Sequence, residues 1–149
     1  MENEIKNGNG ICKEYDDKGK IIFEGEYLNG KRNGKGKEYD YDLGKLLFEG
    51  EYLNGKRSGK GKQYYENGKL EFEGEYLNGK RSGIGKEYCN GDLKFEGEYL
   101  NGKRHGKGKE YYFGEISRSY CNGKIEFEGE YINGERNEGK EYGYDYYDN

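Results

Sequence analysis

The sequence has no proline, tryptophan, valine or alanine. Leu, Ile and Phe together account for only 23 of its 149 residues, a content typical of disordered chains. A net charge of only −4 and an aromatic content of 16%, with the aromatic residues at a regular period, indicate a folded protein instead. The length fits one domain, and we expect its apolar surface to be mostly aromatic and spread along the chain.

Other features that are missing narrow the class of protein. Three cysteines, Cys12, Cys89 and Cys121, do not make a disulfide framework in a chain of this length. No apolar run approaches the ~20 residues that cross a bilayer. Residues 1–6 have neither the basic nor the apolar region of a signal peptide. We therefore expect a soluble protein of the reducing cytoplasm, with the periphery of membranes or the cytoskeleton as alternative locations.

One ten-residue phrase, Phe-Glu-Gly-Glu-Tyr-Leu-Asn-Gly-Lys-Arg, recurs through the sequence. It begins at Phe23, Phe48, Phe72 and Phe95, and a near copy begins at Phe127. Spacings of 25, 24, 23 and 32 residues between the starts indicate a repeat array. We interpret residues 1–149 as one domain with a partial repeat at 9–22, repeats starting near 23, 48, 72, 95 and 127, and an acidic, tyrosine-rich tail at 143–149.

Each copy of the phrase predicts a β-hairpin. Residues 23–27 alternate with period two, which predicts a strand with Phe23, Gly25 and Tyr27 on one face and glutamates on the other. Residues 28–34 carry Asn-Gly and a second glycine, which predicts a hairpin loop, and residues 36–41 predict the returning strand. The predicted fold is all-β, an elongated single-layer antiparallel meander of tandem β-hairpins with about eleven strands.

Residues 97–108, Gly-Glu-Tyr-Leu-Asn-Gly-Lys-Arg-His-Gly-Lys-Gly, resemble the MORN (membrane occupation and recognition nexus) repeat. The family pattern is an aromatic-x-Gly-x-aromatic strand, then Asn/Asp-Gly-Lys and His-Gly-x-Gly, and the resemblance covers about residues 9–142. The long period and the linker at 64–68 also resemble a bacterial variant that is often labelled as an antitoxin. The resemblance implies a single sheet of hairpins that acts as a scaffold, dimerises, binds partner proteins or contacts acidic phospholipids.

Residues suited to catalysis are scarce. His105 is the only histidine, and neither a catalytic partner nor metal ligands at a useful spacing accompany it, so we expect it to support a turn. Paired carboxylates such as Glu24 and Glu26 recur in every repeat, as a structural residue would, and we expect them to form a solvated outer surface together with the lysines of the returning strand. Cys12 stands where other copies have glycine and is interpreted as a buried or half-buried thiol. We expect no enzyme activity, no catalytic residue, no metal site and no cofactor.

The aromatic face is the first candidate binding surface. A sheet with one apolar face normally needs a second layer, and the sequence supplies no helix or second sheet for it. Either the rings stack on the glycines, or a protein, a peptide or a second copy of the chain covers them. The candidate partner-binding residues are Phe23, Tyr27, Phe48, Tyr52, Phe72, Tyr76, Phe95 and Tyr99.

The second candidate surface is basic. Lys-Arg pairs fall in successive predicted hairpin loops and would line one edge of the sheet, at Lys31, Arg32, Lys56, Arg57, Lys80, Arg81, Lys103 and Arg104. Anionic lipid headgroups would gain about 1 kcal/mol per such charge near the surface. Nucleic acid is disfavoured as a partner because the pI is 5.3 and glutamates lie close to the basic pairs.

These features predict a non-enzymatic scaffold or interaction module that binds a partner protein or self-associates through its aromatic face. Peripheral binding of acidic phospholipid through the Lys-Arg edge is one alternative, and an antitoxin-like binding protein is another. Residues 113–120 interrupt the repeat and are expected to lengthen a hairpin or add a small one.

Overall fold

The computed structural model describes residues 8–112 and 123–143. In this part of the chain eleven β-strands form one open antiparallel sheet, in which each strand pairs with its neighbours in sequence. The strands are β1 Gly10–Tyr15, β2 Ile21–Leu28, β3 Lys31–Tyr39, β4 Leu46–Leu53, β5 Lys56–Tyr64, β6 Leu70–Leu77, β7 Lys80–Cys89, β8 Asp92–Leu100, β9 Lys103–Tyr111, β10 Ile125–Ile132 and β11 Glu135–Glu141. The predicted meander of hairpins is confirmed.

The hairpin turns are shorter than the sequence suggested. Asn29 and Gly30 both have positive φ, 51° and 74°, and Leu28 pairs directly with Lys31. Two central residues with positive φ make a type I′ turn, whose twist matches that of the flanking strands. The predicted loop at 28–34 is therefore wrong: the turn has two residues, and the returning strand starts at Lys31 instead of residue 36. Asn54, Asn78, Asn101 and Asn133 have the same conformation.

The second glycine of the predicted loop lies in a β-bulge instead. Gly34 has a φ of 101°, and a Cβ atom placed on it would lie 2.2 Å from Oε2 of Glu26. The same Glu26 carboxylate accepts a hydrogen bond from the backbone N–H of Lys35. The bulge leaves this N–H outside the strand ladder, and the glutamate satisfies it.

The buried core is a double row of rings on one face of the sheet. In the described residues, the buried apolar side chains are phenylalanines and tyrosines, namely Phe23, Phe48, Tyr52, Phe72, Tyr76, Phe95, Tyr99, Phe127 and Tyr131. Each ring meets its neighbours edge to face; the Phe48 centroid, for example, lies 5.7 Å from that of Tyr52 and 5.1 Å from that of Tyr76. Such pairs contribute about 0.5–1.5 kcal/mol each beyond the burial of their area.

Three features of the sequence lie wholly or partly outside the described residues. They are the interruption at 113–120, Cys121 and most of the tail at 143–149. No helix long and apolar enough to cross a bilayer occurs between residues 8 and 112 or between 123 and 143.

Candidate functional site

A line of glycines, one per strand from β2 to β11, runs across the middle of the sheet. Gly25 is paired with Gly36, Gly36 with Gly50, and Gly50 with Gly61, and the line continues to Gly139. A Cβ atom on Gly36 would lie 2.5 Å from Cζ of Phe23 and 3.1 Å from Cε2 of Tyr52. The missing side chains therefore make the space that the rings occupy, as the position of the glycines in the phrase predicted.

An arginine lies over each of the five phenylalanine rings in the buried core. The guanidinium carbon of Arg57 is 4.1 Å from the centre of the Phe48 ring, and that of Arg32 is 4.0 Å from the centre of Phe23. The pattern recurs for Arg81 over Phe72, Arg104 over Phe95 and Arg136 over Phe127. Contacts at this distance are cation–π interactions worth about 0.5–2 kcal/mol each. The arginines thus supply the second layer that a one-sided sheet needs.

Carboxylates from the neighbouring hairpin hold most of these arginines in place. Glu38 accepts hydrogen bonds from Nη2 of Arg57 at 2.7 Å and from the Tyr52 hydroxyl at 2.5 Å. Burial alone would raise the pKa of Glu38, but the bonds from Arg57 and Tyr52 outweigh it and lower the pKa below its ordinary value. The same opposing causes lower the pKa of Glu87, beside Arg104 and Tyr99.

The third copy of the phrase departs from this pattern because Gln63 stands in the place of Glu38. Arg81 pairs instead with Glu71, at 3.4 Å, and the Tyr76 hydroxyl donates to Oε1 of Gln63 at 3.2 Å. The amide of Gln63 also donates to Glu71 at 2.8 Å. A carboxylate on the adjacent strand therefore takes over the arginine that the glutamine cannot pair.

The predicted partner-binding rings are brought together but are not exposed. The side chains of Phe23, Phe48, Phe72 and Phe95 are 0% exposed, and those of Tyr52, Tyr76 and Tyr99 are 4% exposed. Tyr27 is half-buried and packs against the same cluster. The idea of a large uncovered aromatic patch is wrong, because the rings stack on the glycine line and the arginines lie over them.

The predicted basic edge divides into two sets of residues on opposite faces. Arg32, Arg57, Arg81 and Arg104 turn to the aromatic face, where each is half-buried and paired with a carboxylate. Lys31, Lys56, Lys80 and Lys103 are exposed, each opposite an aliphatic residue of the preceding strand. Both sets belong to strands and not to loops, which corrects the predicted position.

The opposite side of the sheet, which we call the charged face, carries the Glu-Gly-Glu and Lys-Gly-Lys residues that flank the glycine line. Its glutamates accept hydrogen bonds from uncharged donors. The Tyr64 hydroxyl donates to Glu49 at 2.6 Å, and the backbone N–H of Lys60 donates to Glu51 at 2.7 Å. Burial and then the bond to Glu49 raise the pKa of Tyr64 to about 12, so this tyrosine stays a donor at neutral pH.

A groove runs along the charged face, with the glycine line as its floor. Its first part has a volume of about 780 Å³ and extends from Ile11 on β1 to Ile84 and Lys86 on β7. A second part, of about 490 Å³, shares Ile84 and Lys86 and continues to Glu130 on β10. Ile11 and Ile84, at 63% and 58% exposure, stand in the row that otherwise has lysine at Lys35, Lys60 and Lys107.

His105 has the turn-supporting place expected of it. Its Nδ1 atom accepts the backbone N–H of Asn133 at 3.4 Å, across to the next hairpin turn. Asn9, which immediately precedes β1, has the equivalent position in the partial first repeat. Its Oδ1 atom accepts the backbone N–H of Asn29 in the same way, at 2.8 Å. The described residues contain no group of three His, Cys, Asp or Glu side chains that would hold a metal ion.

Comparison with protein families agrees with this geometry. The model described as "MORN repeat" matches residues 23–44, 72–93 and 95–114, and the model described as "MORN repeat variant" matches residues 8–29 and 57–78. The chain belongs to the MORN repeat family. The comparison with curated proteins returned no match. MORN repeats are non-enzymatic modules that generally mediate interactions with proteins or membranes.

The structure assigns a place to each part of the MORN phrase. The aromatic residues and the arginine form the core, Asn-Gly forms the turn, and the charged triplets form the walls of the groove. The groove was missed in the sequence, where Glu24, Glu26, Lys35 and Lys37 were interpreted as a solvated outer surface. The sequence does contain a signal for the groove, because the two charged residues of each Glu-Gly-Glu or Lys-Gly-Lys triplet must lie on the same face of a strand.

Proposed function

We propose that this MORN array is a non-enzymatic interaction module that binds a partner protein on its charged face. The observation that carries the proposal is the long groove over the glycine line, with the exposed isoleucines Ile11 and Ile84 in its wall. Proteins usually bind ligands in concave surfaces, and the two isoleucines add apolar contact area at two separate points of this groove. A cytoplasmic location and an antitoxin-like role both fit this proposal, since an antitoxin of this type would hold its target protein.

The burial of the aromatic face supports the charged face as the binding surface. Its rings and arginines bind one another, so they give the sheet rigidity and leave little apolar surface for a partner. We therefore propose that the partner binds to the charged face of the sheet and not, as the sequence predicted, to the aromatic face. A second copy of the chain remains one candidate partner, and sedimentation equilibrium tests it directly.

Site-specific photo-cross-linking tests the proposal. A photoreactive residue at Ile84 lies in the groove wall, whereas one at Leu43, which is 58% exposed in the join between β3 and β4, serves as the control. We expect a partner in an extract of the source cells to cross-link from position 84 and not from position 43. In a separate pull-down from the same extract, the Ile84→Glu chain should no longer retain this partner, whereas the Leu43→Glu chain should retain it. Capture that survives Ile84→Glu, with no adduct from position 84, would contradict the proposal.

A second candidate function is peripheral binding to acidic phospholipid. The observation that favours it is a row of aliphatic side chains beside the hairpin turns, each about half exposed, at Leu28, Leu53, Leu77, Leu100 and Ile132. The exposed lysines at 31, 56, 80 and 103 alternate with them across the sheet, whereas Glu135 takes the last place. Aliphatic side chains that enter a headgroup layer beside lysines are the usual means of interfacial binding.

Vesicle sedimentation tests this second candidate. Binding to vesicles with an anionic phospholipid should fall with added salt and with the joint change of the four lysines to serine. The matched control also changes four lysines to serine, Lys18, Lys20, Lys45 and Lys69, which are exposed on the opposite edge of the sheet. Equal binding to neutral and anionic vesicles would exclude the headgroup contact.

A further inference from the structure

The walls of the groove consist of like-charged pairs. Each strand from β2 to β10 has two wall residues, one on either side of its glycine, and in all of these strands except β7 both carry the same charge. Lys35 and Lys37 flank Gly36 on β3, and Lys60 and Lys62 flank Gly61 on β5. Pairs of glutamates alternate with these lysine pairs on the intervening strands, at Glu24 and Glu26, Glu49 and Glu51, and Glu73 and Glu75.

The glutamate pairs and the lysine pairs differ in the contacts that they already make within the chain. Every glutamate of these three pairs accepts a hydrogen bond from a tyrosine hydroxyl or a backbone N–H. By contrast, within residues 8–112 and 123–143 the ammonium groups of Lys35, Lys37, Lys60, Lys62 and Lys86 have neither a salt bridge nor a hydrogen bond. The lysine pairs are therefore the donors that a ligand in the groove would meet.

The dimensions of the groove favour an extended chain. Its walls are two residues apart on each strand, about 7 Å between Cα rows, which is narrower than the 10–12 Å diameter of a helix with its side chains. From β1 to β7 the groove crosses six strand spacings, about 29 Å, which is the length of about nine extended residues. Successive lysine pairs lie two strands apart, about 9.6 Å, and three residues of an extended chain span about 10 Å.

We propose that the groove binds an extended acidic peptide segment that runs across the strands and has a carboxylate at every third residue. One carboxylate lies between Lys35 and Lys37, and the next lies between Lys60 and Lys62. Three residues further on, β7 has Ile84 in place of one lysine of the pair, so the peptide has an aliphatic residue there. The inference rests on the proposed function, since it names the chemistry of the partner that the charged face takes.

Fluorescence anisotropy with synthetic nonapeptides and the full chain tests the inference. The probe has glutamate at its second and fifth positions and isoleucine at its eighth, with serine and asparagine elsewhere; it is used together with its reversed sequence. The control peptide has the same composition with the glutamates adjacent. We expect one of the two probe directions to bind at least about tenfold more tightly than the control. Adjacent glutamates cannot reach two lysine pairs at once, so the control loses the two ion pairs of one carboxylate, which account for about 1.4 kcal/mol.

Variants of the chain complete the experiment. Lys60→Ser with Lys62→Ser, both at exposed positions, should reduce the affinity for the probe about tenfold, whereas Lys18→Ser with Lys69→Ser should not. Absence of probe binding, equal affinity for the control peptide, or unchanged affinity of the Lys60/Lys62 variant would each overturn the inference. If the probe fails while a partner protein still cross-links from position 84, the proposed function stands and only the acidic, extended nature of its ligand is wrong.

Discussion

Arg57 and Glu38 lie on different hairpins and are joined by two hydrogen bonds, from Nε at 3.2 Å and from Nη2 at 2.7 Å. The Arg57 guanidinium also lies over the ring of Phe48. One side chain therefore shields its own hairpin's ring and binds the preceding hairpin. Arg104 and Glu87 repeat the arrangement, at 3.0 and 2.9 Å.

Arg57→Ala should lower the free energy of unfolding by about 2–3 kcal/mol, because a half-buried charged hydrogen bond is lost and Phe48 is uncovered. Urea unfolding followed by circular dichroism measures the change. Lys56→Ala is the matched control, since the adjacent lysine is exposed and should matter by less than about 0.5 kcal/mol. Equal effects of the two substitutions would show that the arginine does not stabilise the core.

Gly36→Ala should destabilise the sheet by about 3 kcal/mol or more, because its Cβ would lie 2.5 Å from Cζ of the buried Phe23. Differential scanning calorimetry should show a clear fall in Tm. Gly143→Ala provides the comparison, since nothing lies within 4 Å of a Cβ at that position. A Gly36→Ala protein as stable as the Gly143→Ala protein would mean that the ring does not rest on the glycine line.

Acid should weaken the array through its half-buried carboxylates. The pKa values of Glu38, Glu87 and Glu110 are lowered in the folded state, because hydrogen bonds from arginine and tyrosine outweigh burial. A lowered folded pKa gives stability that is present above the unfolded pKa, about 4.3, and is lost as the pH falls through the folded value. Urea midpoints measured from pH 7 to pH 2 should fall below about pH 4.5, and Glu38→Gln with Glu87→Gln should make that fall shallower. An equally steep fall in this variant would assign the acid loss to other groups.

Alkali should weaken the array through a different set of groups. Burial, and then hydrogen bonds to glutamates, raise the pKa of each of four half-buried tyrosines, Tyr39, Tyr64, Tyr88 and Tyr111, to about 12. A raised folded pKa gives stability that is present below the unfolded value, about 10, and is lost as the pH rises toward 12. Phenolate absorbance and urea midpoints should change together in this range, and Tyr64→Phe with Tyr88→Phe should reduce both changes. Ionisation of all tyrosines near pH 10 without loss of structure would contradict this.

Much of the fold follows from short-range patterns. The alternation in residues 23–27 and the Asn-Gly pairs predict hairpins, and the glycine between Phe23 and Tyr27 predicts ring stacking. The predicted turn length is wrong because Gly34 has the conformational freedom of a turn residue but lies in a bulge. Composition cannot separate the two cases, since only the pairing of Leu28 with Lys31 decides between them.

The position of the arginines was harder to predict. Arg32 and Lys31 are adjacent in sequence, but a strand turns adjacent side chains to opposite faces, and a loop does not. In a loop both residues would be in water, and the partner of Arg57, 19 residues away, has no local signal in the sequence. The groove required the register of ten strands, which brings the glycine of each strand opposite that of the next.

The hairpins are also joined through their turns. The backbone N–H of Gly55 donates to the carbonyl of Arg32 at 2.8 Å, and Gly79 and Gly102 donate to Arg57 and Arg81 in the same way. Every such bond connects one hairpin with the next, so hairpins in the middle of the array have two neighbours and those at its ends have one. Under mechanical load applied along the row, the array should peel from its ends one hairpin at a time, with force steps of similar height.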